Sequence, residues 1–208
     1  MKYRDMLMIF AMLSAGTTAA GPALAEAEHM HAEHHHHHAM PADKSYQRTS
    51  AAYSIPDVSL VDIDGTPVSL REGLGGDEPV MLNFIFTSCT AICPVMSATF
   101  RQVQEELGEE RSKVRMVSIS IDPENDTPAR LKEYAARFQA GSQWRMLTGS
   151  IADSIAVQRA FDAFRGDKMN HAPVTFLRAG GPDKPWVRLD GLVSASDIID
   201  EYRKIAVH

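Results

Sequence analysis

The sequence predicts an α/β fold in which one sheet is covered by helices on both faces. Three observations carry this. From Tyr53 onward, short apolar runs take turns with segments of helical periodicity. The two cysteines of the chain, Cys89 and Cys93, stand between an apolar strand-like run and a helix start. Turn residues near both ends of this region mark hairpins, which add antiparallel strands.

The elements follow in order. Residues 58–70 read as a hairpin with Asp64-Gly65 at its turn. Residues 80–87 form a buried strand. The next helix starts at Pro94, because a proline suits a first turn whose N–H groups have no intrahelical partner. It turns Met96, Phe100, Val103 and Leu107 inward and stops near Gly108. Residues 114–121 form the next strand. Thr127 caps a helix with Pro128 in its first turn, and Leu131, Tyr134 and Phe138 face the core. A short strand lies around residues 145–147. Ser150 with Asp153 makes a capping box, and the helix it opens carries Ile151, Ile155, Phe161 and Phe164. His171 opens a strand that runs to Arg178. Gly180, Gly181, Pro182 and Asp183 form a turn, residues 186–189 return, and Ser194 with Asp197 caps a last helix bearing Ile198, Tyr202 and Ile205. This order fits a thioredoxin-like sheet with an added N-terminal β-hairpin.

A length of 208 residues fits one domain with extensions. The formal net charge of -6 argues against a nucleic-acid partner. Residues 1–25 read as an export signal: Lys2 and Arg4 precede an apolar run over 6–13, and Ala23-Leu24-Ala25 offers a cleavage site. An uncleaved membrane anchor is the alternative, but the apolar run falls short of the ~20 residues that span a bilayer. Residues 26–51 read as a histidine-rich disordered linker, and 52–208 as the folded domain. Export to the bacterial periplasm places Cys89 and Cys93 where thiols tend to pair. If function needs them reduced, electrons must be supplied.

Three residues separate the cysteines, one more than in the usual thioredoxin redox motif. Cys93 precedes Pro94 and is expected at the helix cap, with Cys89 in the loop before it. Amides and the dipole at a helix start favour a thiolate there. A plain structural disulfide is the alternative, although so small a loop gains little from closure. Outside the linker the chain has two histidines, His171 and His208. His208 is the last residue. His171 opens a strand, and in a thioredoxin-like sheet the loop before that strand approaches the cysteine helix, so His171 is the candidate third group of a Cys2His site. Such soft and borderline ligands suit Cu(I) and Zn(II). A closed structural zinc site takes four protein ligands, whereas three fit Cu(I).

The run from Phe86 through Cys89 and Cys93 to Pro94, the segment Ser120-Ile-Asp-Pro-Glu-Asn-Asp-Thr-Pro128 and the His171 strand occur in this order. Together they resemble the Sco/SenC family, and the resemblance spans residues 53–202. It implies an exported copper protein with a thioredoxin-like fold that helps assemble the copper centre of a terminal respiratory oxidase. The metal ligands it implies are Cys89, Cys93 and His171, with copper as Cu(I) or Cu(II). Asp122 matches the family's acidic loop residue. The implied partners are a copper-containing oxidase subunit or another copper-protein recipient, a thiol reductant and a copper donor. Two departures stand out. Asn125 occupies a position that is often basic in the family. Pro173, two residues after His171, matches the cis-proline of thioredoxins, so the Ala172–Pro173 bond is expected to be cis.

The linker holds seven of the nine histidines: His29, His31, His34, His35, His36, His37 and His38. They are candidate accessory metal ligands, with Met30 and Met40 nearby. A solvated tract without metal is the alternative. Two further functions compete with copper delivery. One is a thiol-disulfide oxidoreductase in which Cys89 and Cys93 are the catalytic redox pair. The other is a peroxidase, since Thr90-Ala-Ile-Cys93 echoes a short peroxiredoxin motif. No phosphate loop and no nucleophile elbow occur in the chain.

Overall fold

The computed structural model describes residues 45–206. Residues 1–25, expected to direct export, the histidine tract at 29–38 and His208 lie outside the described residues. Eight strands form one sheet in the order β1-β8-β7-β4-β5-β6-β2-β3. The central strands β4 (Val80–Ile85), β5 (Arg115–Ser120) and β6 (Trp144–Thr148) are parallel. β7 (Val174–Arg178) joins β4 antiparallel, and β8 (Trp186–Gly191) continues outward from β7. The hairpin β2 (Ser59–Asp62) and β3 (Pro67–Ser69) turns through Gly65, whose φ of 81° suits glycine, and attaches to β6.

The central strand β4 is buried along its whole length, as a strand covered on both faces must be. Met81 and Ile85 face one layer, while Val80, Leu82 and Phe84 face the other. The first layer holds α2 (Ile92–Leu107), α3 (Pro128–Arg137) and α5 (Ala195–Ala206), packed through Phe100, Val103, Leu131, Tyr134 and Ile198. The second holds α1 (Leu70–Leu74) and α4 (Ile151–Ala160), packed through Leu70, Leu74, Val157 and Phe161. Each buried side chain of this size contributes roughly 1.5–3 kcal/mol of apolar transfer. The caps at Thr127, Ser150 and Ser194 form as expected, each oxygen accepting a backbone N–H three residues on.

Four expectations need correction. The linker does not extend to residue 51. Tyr46–Ala51 is an edge strand, β1, paired antiparallel with β8 from Tyr46↔Gly191 to Ala51↔Trp186. Most of its side chains are exposed and polar, so it has no periodicity to read; backbone pairing and the Arg48–Glu201 ion pair (2.7 Å) hold it. At Gly191 a Cβ would lie 2.6 Å from the Ser45 carbonyl oxygen, so the absence of a side chain admits the strand.

Second, α2 begins at Ile92, before Pro94, with Cys93 inside its first turn. Pro94 then stands third, where the missing N–H still costs no intrahelical bond. Third, α4 turns Ser154, Val157 and Gln158 inward and leaves Ile151 exposed and Ile155 only partly buried. Ser154 Oγ donates to the Ser120 carbonyl (2.9 Å), and this bond to the end of β5 sets the helix's rotation against apolar periodicity. Fourth, no peptide bond among the described residues is cis, so Ala172–Pro173 is trans. Trans is the favoured form even before proline, and the Gly191 amide bonds the Pro173 carbonyl (3.0 Å) in this arrangement.

Candidate metal centre

The parallel strands β4, β5 and β6 end at the same end of the sheet, where β7 begins. Ligand sites in α/β sheets gather at such carboxyl ends. From β4 the chain passes through a tight turn, closed by Cys89 N–H donating to the Phe86 carbonyl (3.1 Å), and enters α2. The turn is anchored by Asp126, which is fully buried. Its carboxylate accepts the Thr87 N–H (3.2 Å), the Thr87 hydroxyl (2.6 Å) and the Ser120 hydroxyl (2.6 Å).

Cys89 is partly exposed and Cys93 is fully buried; both are free thiols. Burial works against ionisation of Cys89, but the amides of Cys93, Ala91 and Ile92 and the Cys93 thiol all donate to its sulfur. The balance lowers its pKa. Cys93 goes the other way. Burial, the neighbouring Cys89 sulfur and the charge of Asp126 push it up to about 12, against a single opposing amide from Phe86. The helix start thus eases ionisation of the outer sulfur, Cys89, and opposes it at the inner one, Cys93.

His171 does not sit in the strand. It ends a short 3-10 turn, Lys168–Asn170, three residues before β7. Its Nε2 lies 3.1 Å from the Phe84 carbonyl oxygen on β4. A carbonyl only accepts, so Nε2 carries the proton and Nδ1 is the nitrogen with a free lone pair. A backbone carbonyl on the distal nitrogen is the usual support of a metal-binding imidazole. Burial lowers the His171 pKa, with a further contribution from the Arg165 charge and partial opposition from the Phe84 carbonyl. The ring is therefore neutral at pH 7.

Cys89 and His171 line one cavity of about 160 Å³ together with Phe86, Thr90, Ile92, Lys168 and Met169. Cys93 does not line this cavity; its thiol lies behind the Cys89 sulfur and bonds to it. The three expected ligands are thus neighbours. They do not converge on a single point, since no three His, Cys, Asp or Glu side chains among the described residues are close enough to hold an ion. The available donors are two cysteine sulfurs, a neutral imidazole nitrogen and the Met169 thioether, a set that fits a soft monovalent ion.

Asp122 is buried beside this cavity. Lys168 Nζ meets its carboxylate at 2.6 Å, and Asn125 Nδ2 donates to both oxygens (3.0 and 3.2 Å). The cation facing Asp122 thus comes from the histidine turn, while Asn125 serves as a neutral donor. Sequence reasoning missed Lys168, Asp126 and Met169. Lys168-Met169-Asn170-His171 is a compact signal in hindsight, whereas the Asp126 network joins residues 39 positions apart and leaves no local trace.

Residues 47–189 match the model of the SCO1/SenC family. The SCO1 protein homolog of Bacillus subtilis (strain 168) is 42% identical over 98 residues, covering 47% of this chain and 50% of that protein. The chain spans about half the length of the curated relatives it matches first. Among solved structures, BsSco, a member of the Sco family of cytochrome c oxidase assembly proteins with a disulfide switch, superposes with a TM-score of 0.64 at 31% identity. The match covers 76% of this chain and 96% of that one. Arabidopsis thaliana ScoI, solved with copper bound, gives a TM-score of 0.61 at 25% identity, covering 74% and 99%. The fold is thioredoxin-like, as these neighbours are, and the chain belongs to the SCO1/SenC family.

Proposed function

We propose that this protein is an exported copper metallochaperone. It binds Cu(I) through Cys89, Cys93 and His171 and assists assembly of a copper centre in a respiratory oxidase. The observation that carries this is the shared cavity of Cys89 and His171, with Cys93 against the Cys89 sulfur and the Phe84 carbonyl fixing the His171 tautomer. A pure thiol reductase has no use for a neutral imidazole held this way beside its reactive sulfur. Relatives that assist oxidase assembly, and one solved with copper, support the reading. Export rests on residues 1–25, and the histidine tract would add capture of divalent metal.

The test is competition for one equivalent of Cu(I) between the reduced protein and a chromophoric chelator. Cys89→Ser or Cys93→Ser should weaken binding by roughly 100-fold or more, and His171→Ala by about tenfold without unfolding the domain. Unchanged retention in the cysteine variants would sink the site.

A second reading is thiol-disulfide exchange on a copper-protein partner. The stacked arrangement favours it, with a partly exposed sulfur ready to attack and a buried one beneath it to resolve the mixed disulfide. Complementation separates the two. Cells carrying His171→Ala should lose the copper oxidase at low copper if delivery is the role, and keep it if reduction is.

A further inference from the structure

Met169 is the most exposed large apolar side chain among the described residues, at 74% of its full accessibility. It also lines the cavity that Cys89 and His171 share. Building on the copper reading above, we propose that Met169 is a further Cu(I) ligand of this centre, its thioether sulfur closing the site on the solvent side.

The position is built. Met169 N–H donates to Asp167 Oδ1 (2.8 Å), and His171 N–H donates to the Lys168 carbonyl (3.1 Å). These bonds and the Lys168–Asp122 pair set the backbone of Met169 at the cavity rim, two residues from His171. Its unbranched side chain has three rotatable bonds, and no neighbour buries it, so it can swing over the opening without breaking a packed contact. Nothing in the core explains a methionine here.

The chemistry is selective. A thioether is soft and uncharged, so it favours Cu(I) over Zn(II) and Cu(II). It adds no negative charge to a site that already holds two sulfurs, and it binds more weakly than a thiolate. It is therefore the ligand that leaves first. Its exchange with an incoming ligand breaks one dative Cu–S bond and forms another, and the copper stays Cu(I). Met169 would thus cover the ion at rest and open the side from which a recipient takes it.

The experiment uses the full chain with every methionine replaced by selenomethionine, reduced and loaded with one equivalent of Cu(I). Copper-edge X-ray absorption should show copper–selenium scattering together with sulfur and nitrogen. Met169→Leu should remove the selenium contribution, keep the sulfur and nitrogen, and speed copper loss to the chelator bicinchoninate by about tenfold. Because Met169 is exposed, the variant should melt with the wild type. Sulfur and nitrogen without selenium in the parent protein would overturn the Met169 proposal while leaving Cys89, Cys93 and His171 as ligands. Selenium scattering that persists in Met169→Leu would overturn it as well, and would point to another methionine. Absence of sulfur scattering would instead overturn the underlying copper site.

Discussion

The two halves of the candidate centre are made in opposite ways. The cysteine half stands on the core. Cys93 is fully buried in the first turn of α2, and the turn before it is tied to the buried Asp126. The histidine half, residues 165–171, is a surface turn. Arg165, Gly166, Asp167, Met169 and Asn170 are exposed, and the turn is held by polar contacts to Asp122 and Phe84. Segments with little buried apolar surface open at lower free energy than core elements. The pairing therefore joins a core-anchored cysteine surface to a histidine turn with less buried support, a combination that suits the proposed holding and release of an ion.

The largest effect should come from the rigid half. Asp126→Ala leaves the Thr87 and Ser120 hydroxyls and the Thr87 N–H without their acceptor, and should destabilise the domain by about 3 kcal/mol in a urea titration. A loss below ~1 kcal/mol would mean that the cysteine turn does not depend on this anchor. Lys168→Ala addresses the other half. It removes a partly exposed cation, so stability should fall by only about 1 kcal/mol. Hydrogen exchange at Met169 and His171 should nonetheless quicken while exchange in α2 stays unchanged. Equal quickening in both would erase the contrast.

The smallest effect sharpens the cysteine half from within. Cys89 has a pKa below the ordinary 9.0, so its thiolate persists as pH falls to that lowered value and is lost below it. Cys93, pushed up to about 12, stays protonated across the same range. Alkylation followed by mass spectrometry from pH 6 to 10 should label Cys89 with a midpoint under 9.0 and leave Cys93 untouched. Replacing Cys93 by Ala removes a donor to the Cys89 sulfur and should move that midpoint upward.

The sequence was legible wherever the signal was local. The strand, the cysteine pair and Pro94 mark the β4–α2 junction within fifteen residues. Thr127, Ser150 and Ser194 announce helix starts because a cap acts over three positions. What escaped was set by partners far along the chain. β1 owes its form to β8, and the rotation of α4 follows from one bond to Ser120. His171 could be named as a ligand candidate by elimination, but its tautomer follows from the Phe84 carbonyl, 87 residues away. Lys168 and Asp126 are ordinary surface-type residues until their partners are known.

The direction of the strands has a practical side. With β4 and β5 running the same way and β7 running back, all the chemistry collects at one pole of the sheet. The turn from Arg178 to Trp186 lies at the other, with Pro182, Asp183 and Lys184 exposed to solvent. A dye, a surface linker or a grafted peptide attached at Asp183 would stand a full strand length from the cavity. A protein immobilised through that turn would present its cysteine end outward in every copy.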